Sequence, residues 1–286
     1  MEAKATLRSA LDRMNEFPEF RFVCSSASVF QWVEEFDPEM LEEIKERVSE
    51  GRFIIVGGWQ VQPEKLTVQA VLQAACESVF GCKVDLTGCS RTDSGVHARG
   101  FIALVSGEAL PSIPVNSLPL AINTKLPEDI AVLEASVAPE GFHPRYGAKG
   151  KEYVYTVHNS RLRDPFVSDT AWQFPRHIDE SLADSLCKEF VGRQDFSAFM
   201  ASGSKITDAV REIKYFNAER VGDSVIFTVA ADGFLYNMVR IMVGTVVEAA
   251  SGTKLLPIKE IIASRERANA GITAPAKGLT LNRVFY

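Results

Sequence analysis

The residue types able to do chemistry are few and widely spaced in this chain. Asp93 sits in GCSRTDSGVHARG, residues 88–100, among Ser90, Thr92, Ser94 and the glycines Gly88 and Gly95. A tight loop of this kind holds up one carboxylate, which serves as a nucleophile when a neighbouring cation keeps it ionised in a site that excludes water. An aspartate bonding its own backbone in an Asx turn explains the same pattern. Arg240 lies inside NMVRIMVGTVV, an apolar helix, where an arginine is almost never fully buried without a partner. It either snorkels to the surface on the face it shares with Tyr236 and Gly244, or it meets an anion, for which Asp93 is the natural counter-ion. In KEYVYTV, Tyr153 and Tyr155 point to one side of a strand because strand side chains alternate. The two rings either fill a core or offer a stacking surface for a base. Around them, residues 145–163 carry Arg145, Lys149, Lys151, Arg161 and Arg163 against Glu152, a local net of +4. Bases interleaved with aromatics suit phosphate contacts as well as a solvated face.

These groups need elements to position them. Val68, Val71, Leu72, Ala75 and Val79 fall at helical spacing, with Thr67 as N-cap and Gly81 just past the end, which predicts a helix leading toward the Asp93 loop. Strands are predicted over Phe101–Val105, Tyr153–Val157 and Val225–Ala230. Helices are predicted over Ser181–Val191 and from Phe234 onward, where Leu235, Met238, Val239, Met242 and Val246 share a face, so that strand and helix alternate. Residues 1–57 read as a charged helix, a strand over Phe20–Cys24, an acidic helix over Asp37–Val48 opened by Asp37 and Pro38, and a strand over Phe53–Val56.

With 286 residues, 46% of them hydrophobic and 24% charged, the chain has the composition of a globular protein of about two domains, and wholesale disorder is excluded. No apolar stretch reaches the roughly 18 residues of a membrane-spanning helix. The first residues mix acids with bases and lack an apolar signal segment, so the expected address is cytoplasmic or nuclear, an organelle not being excluded. Five cysteines without a C-x-x-C pair and only four histidines argue against a structural zinc site and a disulfide framework. The formal charge of −6 is unevenly divided: residues 1–57 carry a net of −5 and the much longer remainder −1. A uniformly basic nucleic-acid-binding surface is therefore excluded.

Six motifs carry a resemblance. GWQVQ (58–62), SRTDSGVHA (90–98), KEYVY (151–155), GRQDFSAF (192–199), FLYNMVRIMVG (234–244) and GLTL (278–281) look, in this order, like the TruA-type tRNA pseudouridine synthases, over residues 58–286. The resemblance implies an α+β fold of two similar α/β subdomains, residues 58–145 and 146–286, whose mixed sheets meet at a central cleft. It implies isomerisation of uridine to pseudouridine in the anticodon arm of tRNA, with tRNA as partner, a homodimer as a possible assembly, and neither cofactor nor metal. By the same resemblance Asp93 matches the catalytic aspartate, Arg240 the arginine paired with it, Tyr153 the base-stacking tyrosine, and Arg91 the arginine that flips the target uridine. Ser90, where the family commonly has glycine, and Gln194, where histidine is frequent, are departures that remove no reacting group.

The larger departure lies before Gly58. The family opens with an apolar strand and a Tyr-Asp-Gly turn leading into Gly-Trp-Gln, whereas here EGRFIIVG precedes it. Residues 1–57 are instead similar to an internal piece of the alpha-mannosidase family of glycoside hydrolases. That chemistry needs metal-binding histidines, and this stretch has no histidine. The join at Gly57-Gly58-Trp59 suggests a chimera. The rival reading is a catalytically impaired RNA-binding protein, since loss of the first strand would expose a sheet edge unless Phe53–Val56 substitutes for it.

Overall fold

A computed structural model describes residues 22–23, 54–55, 58–61, 67–107, 110, 112–203 and 206–286. The chain divides into two compact units. The first runs through Gly95 and resumes over Ala103–Arg145; the second comprises Val96–Ile102 and Tyr146–Tyr286.

In the first unit, β1 (Phe22–Val23) and β2 (Ile54–Ile55) pair in parallel as a sheet of their own. They fall within the predicted strands at Phe20–Cys24 and Phe53–Val56, while the two predicted helices before Gly58 lie outside the described residues. Among the described residues Ile54–Ile55 pairs only with Phe22–Val23. Helix α1 (Val68–Phe80) has the caps its sequence calls for: Thr67 accepts from the Ala70 N–H at 3.3 Å, and the Gly81 N–H closes onto the Glu77 carbonyl at 2.9 Å. Val71, Ala75 and Cys76 form its buried face. Gln69 and Gln73, four residues apart and so on one side of the helix, donate side-chain amides to the Leu86 carbonyl at 2.8 Å and the Val84 carbonyl at 2.9 Å. The helix is thereby stitched to the strand that feeds the Asp93 loop, β3 (Asp85–Gly88). The predicted loop 88–100 contains a short strand, β4 (His97–Ala98), which belongs to the second unit. The apolar run expected at Phe101–Val105 pairs as β5 (Ala103–Ser106), antiparallel to β3. A short helix α2 (Leu118–Asn123) follows.

The second unit is built on a seven-stranded mixed sheet. Its members in chain order are β4, β6 (Gly150–His158), β7 (Trp172–Gln173), β8 (Gly192–Asp195), β9 (Val210–Val221), β10 (Ser224–Ala231) and β11 (Leu279–Phe285). In space the order is β4-β11-β6-β10-β9-β8, with β7 pairing in parallel to β6. The β4–β11 pair is also parallel and the remaining pairs are antiparallel. Period-two alternation sets the inner face: Tyr153, Tyr155 and Val157 of β6 stand opposite Val229, Phe227 and Val225 of β10, and Leu281 and Leu279 of β11 oppose the two tyrosines. Helix α3 (Glu180–Lys188) packs on β9 and against helix α4 (Met238–Ala250), and α5 (Ile258–Ser264) follows. Ten of the thirteen residues of α4 are buried, so it is enclosed on most sides rather than amphipathic. It begins at Met238, four residues later than Phe234.

Six strands, β3, β4, β7, β8, β9 and β11, lie outside the predicted ones, and the strict alternation of strand with helix gives way to an antiparallel run β8-β9-β10. The reason in β9 is a bulge: Ala230 opposes Tyr215 but Ala231 opposes Ile213, which leaves Lys214 as the extra residue. Ile213 and Phe216 are both buried although three residues apart, so the sequence lacks the two-residue period of a strand. Among the described residues no helix is long and apolar enough to cross a membrane.

Candidate active site

The Asp93 loop starts at Gly88 and passes the fully buried Cys89 before Arg91, which is exposed, and Asp93, which is half-buried. Its conformation is set by the segment Gly58–Trp59, which runs directly against it. The Trp59 N–H donates to the Thr92 carbonyl at 3.3 Å, and the Trp59 carbonyl accepts from Gln69 N–H at 3.0 Å, which ties the segment to the first turn of α1. The indole is buried. Any side chain at Gly58 would put its Cβ 2.0 Å from the Thr92 carbonyl oxygen and 2.9 Å from the Asp93 carbonyl carbon. Glycine is required because two backbones touch, and the contact falls on the residue before Asp93 and on Asp93 itself.

In the second unit, Tyr153 and Tyr155 share the inner face of β6 as alternation demands, but they are not equivalent. Tyr155 has no exposed surface, its hydroxyl donates to the Pro275 carbonyl at 2.7 Å, and burial pushes its acidity far down, the Arg240 charge opposing. It is a core residue with a fixed hydroxyl. Tyr153 is 7% exposed and is held edge-on by Phe234, ring centroids 5.2 Å apart at 89°.

Arg240 neither snorkels nor lies loose. Its Nε donates to the Ala274 carbonyl at 2.7 Å, its Nη1 donates to Asn237 Oδ1 at 2.9 Å, and its own carbonyl accepts from the Ala274 N–H at 3.1 Å. The helix face it shares with Gly244 is covered by an extended strap, residues 271–275. Thr245 accepts from the Gly271 N–H at 2.9 Å, Glu248 accepts from the Ile272 N–H at 3.0 Å, and a Cβ at Gly244 would lie 2.0 Å from the Ile272 carbonyl oxygen. The strap thus fixes Arg240 through Ala274 and Tyr155 through Pro275. It was missed in the sequence because it lies outside every regular element; ITAP ahead of GLTL was its only signal.

On the other face of β6, Glu152 accepts from the Tyr215 hydroxyl across the small residue Ala230 and from Asn282 Nδ2 at 2.6 Å. Burial works against the ionised carboxylate, but these hydrogen bonds and the Arg283 charge outweigh it and hold its pKa below the usual glutamate value, while burial and the carboxylate push Tyr215 up to about 12. Lys214 and Arg283 lie 5.7 and 6.0 Å from the centroid of Phe285, so cations and an aromatic ring gather at this end of the sheet. Arg145, Lys149, Arg161 and Arg163 of the basic stretch are exposed. Among the described residues no group of three or more His, Cys, Asp or Glu side chains is gathered where it could hold a metal.

Asp93 and Arg91 are therefore presented by the first unit, Tyr153 and Arg240 by the second. Residues 57–147 and 186–286 match a family described as tRNA pseudouridine synthase; these stretches include Arg91, Asp93 and Arg240, while Tyr153 lies between them. Residues 1–74 match the glycosyl hydrolases family 38 N-terminal domain, in line with the mannosidase-like reading of residues 1–57. Over 230 residues the chain is 40% identical to tRNA pseudouridine synthase A of Clostridium kluyveri, covering 80% of this chain and 93% of that protein. It is 44% identical over 234 residues to the protein of that name from Moorella thermoacetica, covering 80% and 94%. With the Acetivibrio thermocellus protein of the same name it shares 42% identity over 230 residues, covering 80% and 93%.

Proposed function

The chain belongs to the tRNA pseudouridine synthase family, and on that premise we propose that Asp93 is the nucleophile through which it isomerises uridine to pseudouridine in the anticodon arm of tRNA, in the cytoplasm or nucleus. The bond from N1 of the base to C1′ of the ribose breaks, the base turns, and a bond from C5 to C1′ forms; C5 loses a proton and N1 gains one. Asp93 adds to the base or to the sugar and is released unchanged, so the atoms balance without any further reactant. Chemistry on a base requires its extrusion from the stack, at a cost of a few kcal/mol. Arg91 takes the place the base leaves, Tyr153 stacks on the extruded ring, and Arg240 is the counter-ion that keeps Asp93 ionised.

The observation that carries this reading is the brace on the Asp93 loop. A loop held against the Gly58–Trp59 backbone presents its carboxylate in one position, which is what nucleophilic attack needs. The test is Asp93→Asn assayed by tritium release from tRNA labelled at uridine C5. Tritium release should vanish while tRNA affinity stays within about threefold, since one uncharged substitution leaves the phosphate contacts intact. Turnover by that variant would refute the role. Tight tRNA binding with no turnover by the unaltered chain would favour the impaired RNA-binding protein instead.

We also propose that the chain works as a homodimer. Leu162 and Phe166 are 80% and 97% exposed on a loop ordered by its own hydrogen bonds, the Leu162 N–H to Ser160 Oγ at 3.3 Å and the Phe166 N–H to Asp164 Oδ1 at 2.9 Å. Two large apolar side chains this exposed on one short loop are the candidate surface for association with a second copy. Light scattering should give the mass of two chains, and Phe166→Ser should halve it; a single-chain mass for the unaltered protein refutes the dimer.

A further inference from the structure

Asn237 breaks two local rules at once. It is the residue preceding the first turn of α4, where asparagine ordinarily has extended backbone angles and turns its side-chain oxygen back to accept a backbone N–H of that turn. Here it adopts φ 57° and ψ 10°, one of two non-glycine residues with positive φ among the described residues, and its side chain makes no capping hydrogen bond. Its Oδ1 accepts instead from Nη1 of the Arg240 side chain, three residues on, at 2.9 Å. A left-handed backbone costs free energy, and giving up a cap forgoes a favourable interaction. No local gain offsets either, which is the pattern expected where the backbone serves a site rather than stability.

The guanidinium is a rigid planar fork, so two points define its orientation. Nε is fixed by the Ala274 carbonyl and Nη1 by Asn237 Oδ1, leaving the outer edge of the fork with a single direction. In an ordinary capping geometry Oδ1 would be spent on a backbone N–H of the first turn. We propose that Asn237 is a positioning residue whose left-handed conformation exists to aim Arg240. This rests on the reading of Arg240 as the counter-ion of the nucleophile and adds what fixes its direction.

The test separates backbone from side chain. Asn237→Gly adopts the left-handed angles freely but lacks the acceptor, whereas Asn237→Asp keeps the acceptor and tolerates the same angles. Expected results are an unchanged melting temperature for Asn237→Gly with kcat lowered by about tenfold or more, the scale of a hydrogen bond to a charged group, and KM for tRNA little altered. Asn237→Asp keeps the hydrogen bond to the guanidinium but adds a carboxylate that competes with Asp93 for its charge, so kcat should fall there too while the melting temperature holds, and full turnover by Asn237→Asp would overturn the role of Arg240 as counter-ion. Arg240→Lys, which loses the fork, is made alone and combined with Asn237→Gly; the combination should turn over no more slowly than Arg240→Lys itself, because a residue that acts only through Arg240 has nothing left to aim. If Arg240→Lys retains full turnover, the assigned role of Arg240 fails and the inference with it. If Arg240→Lys is slow but Asn237→Gly keeps the kcat of the unaltered enzyme, or if the two losses multiply, Arg240 keeps its role and the positioning inference alone is overturned. Should Asn237→Gly fold poorly, Asn237→Ala, which lacks the acceptor as well, is assayed in its place, and a well-folded Asn237→Ala with the kcat of the unaltered enzyme overturns it equally.

Discussion

Replacing Gly58 by alanine adds one methyl group at a place where the structure leaves none of the room it needs. That Cβ would sit 2.0 Å from the Thr92 carbonyl oxygen, where real Cβ atoms keep at least 3.0 Å from any neighbour, so one backbone must retreat by about 1 Å. The Gly58 side resists, because Trp59 is buried and its carbonyl is tied to Gln69 N–H. The Thr92–Asp93 side is a loop and gives more readily, which weakens the 3.3 Å bond from the Trp59 N–H and displaces Asp93. A displacement of about 1 Å at a reacting group costs on the order of a hundredfold in rate, or about 2.7 kcal/mol of activation free energy. Binding should suffer little, since tRNA affinity is dominated by phosphate contacts and the substitution removes no cation. The assay is single-turnover tritium release at saturating enzyme, with affinity measured separately by filter binding and the fold checked by thermal melting. A Gly58→Ala enzyme with the single-turnover rate of the unaltered protein would refute the reasoning, because it would show that the brace does not set the position of Asp93.

Gly244→Ala places a Cβ 2.0 Å from the Ile272 carbonyl and must pry the strap from α4; overpacking of this kind costs about 1–3 kcal/mol, so the melting temperature should drop by several degrees and turnover with it, and an unchanged melt would refute the close packing. Converting Lys149, Arg161 and Arg163 to glutamine should flatten the salt dependence of tRNA binding by roughly one unit of log–log slope per lost contact, and an unchanged slope in filter binding would place the RNA on another surface. Because the folded state holds the Glu152 carboxyl below the ordinary glutamate range, its contribution to stability is complete at neutral pH and is lost as the pH falls through the lower folded value. Glu152→Gln should therefore be less stable than the unaltered protein at pH 7, and its melting temperature should fall less on acidification; identical acid limbs would count against the pair with Tyr215.

Where the sequence pattern is local, it is readable. Thr67 and Gly81 bound α1 because capping depends on the residues at the helix ends alone, and the alternation in KEYVYTV survives into β6 because the strand is regular there. What escaped is non-local or irregular. β9 hides behind a bulge at Lys214, and β4 is two residues inside a loop, paired with β11 far along the chain. Arg240 stands out as a cation in an apolar helix, but its partner Ala274 lies 34 residues away in a segment with no period. Asn237 falls inside the helix predicted from Phe234 onward, and the apolar spacing there does not show that the chain turns left-handed just before Met238. Asp93 stands out by composition, yet its brace at Gly58 depends on a backbone contact that only the fold reveals.

The strap also bears on when the protein becomes active during its synthesis. A ribosome adding about 5–20 residues per second makes β6 and α4 before it makes Ala274 and Pro275. In that interval the Tyr155 hydroxyl and the Arg240 fork lack the carbonyls that hold them. β11 must then enter between β4 and β6, both made earlier, before the sheet is complete. The chain thus carries its basic stretch before its site can be assembled, and competence to modify RNA has to wait for the strap.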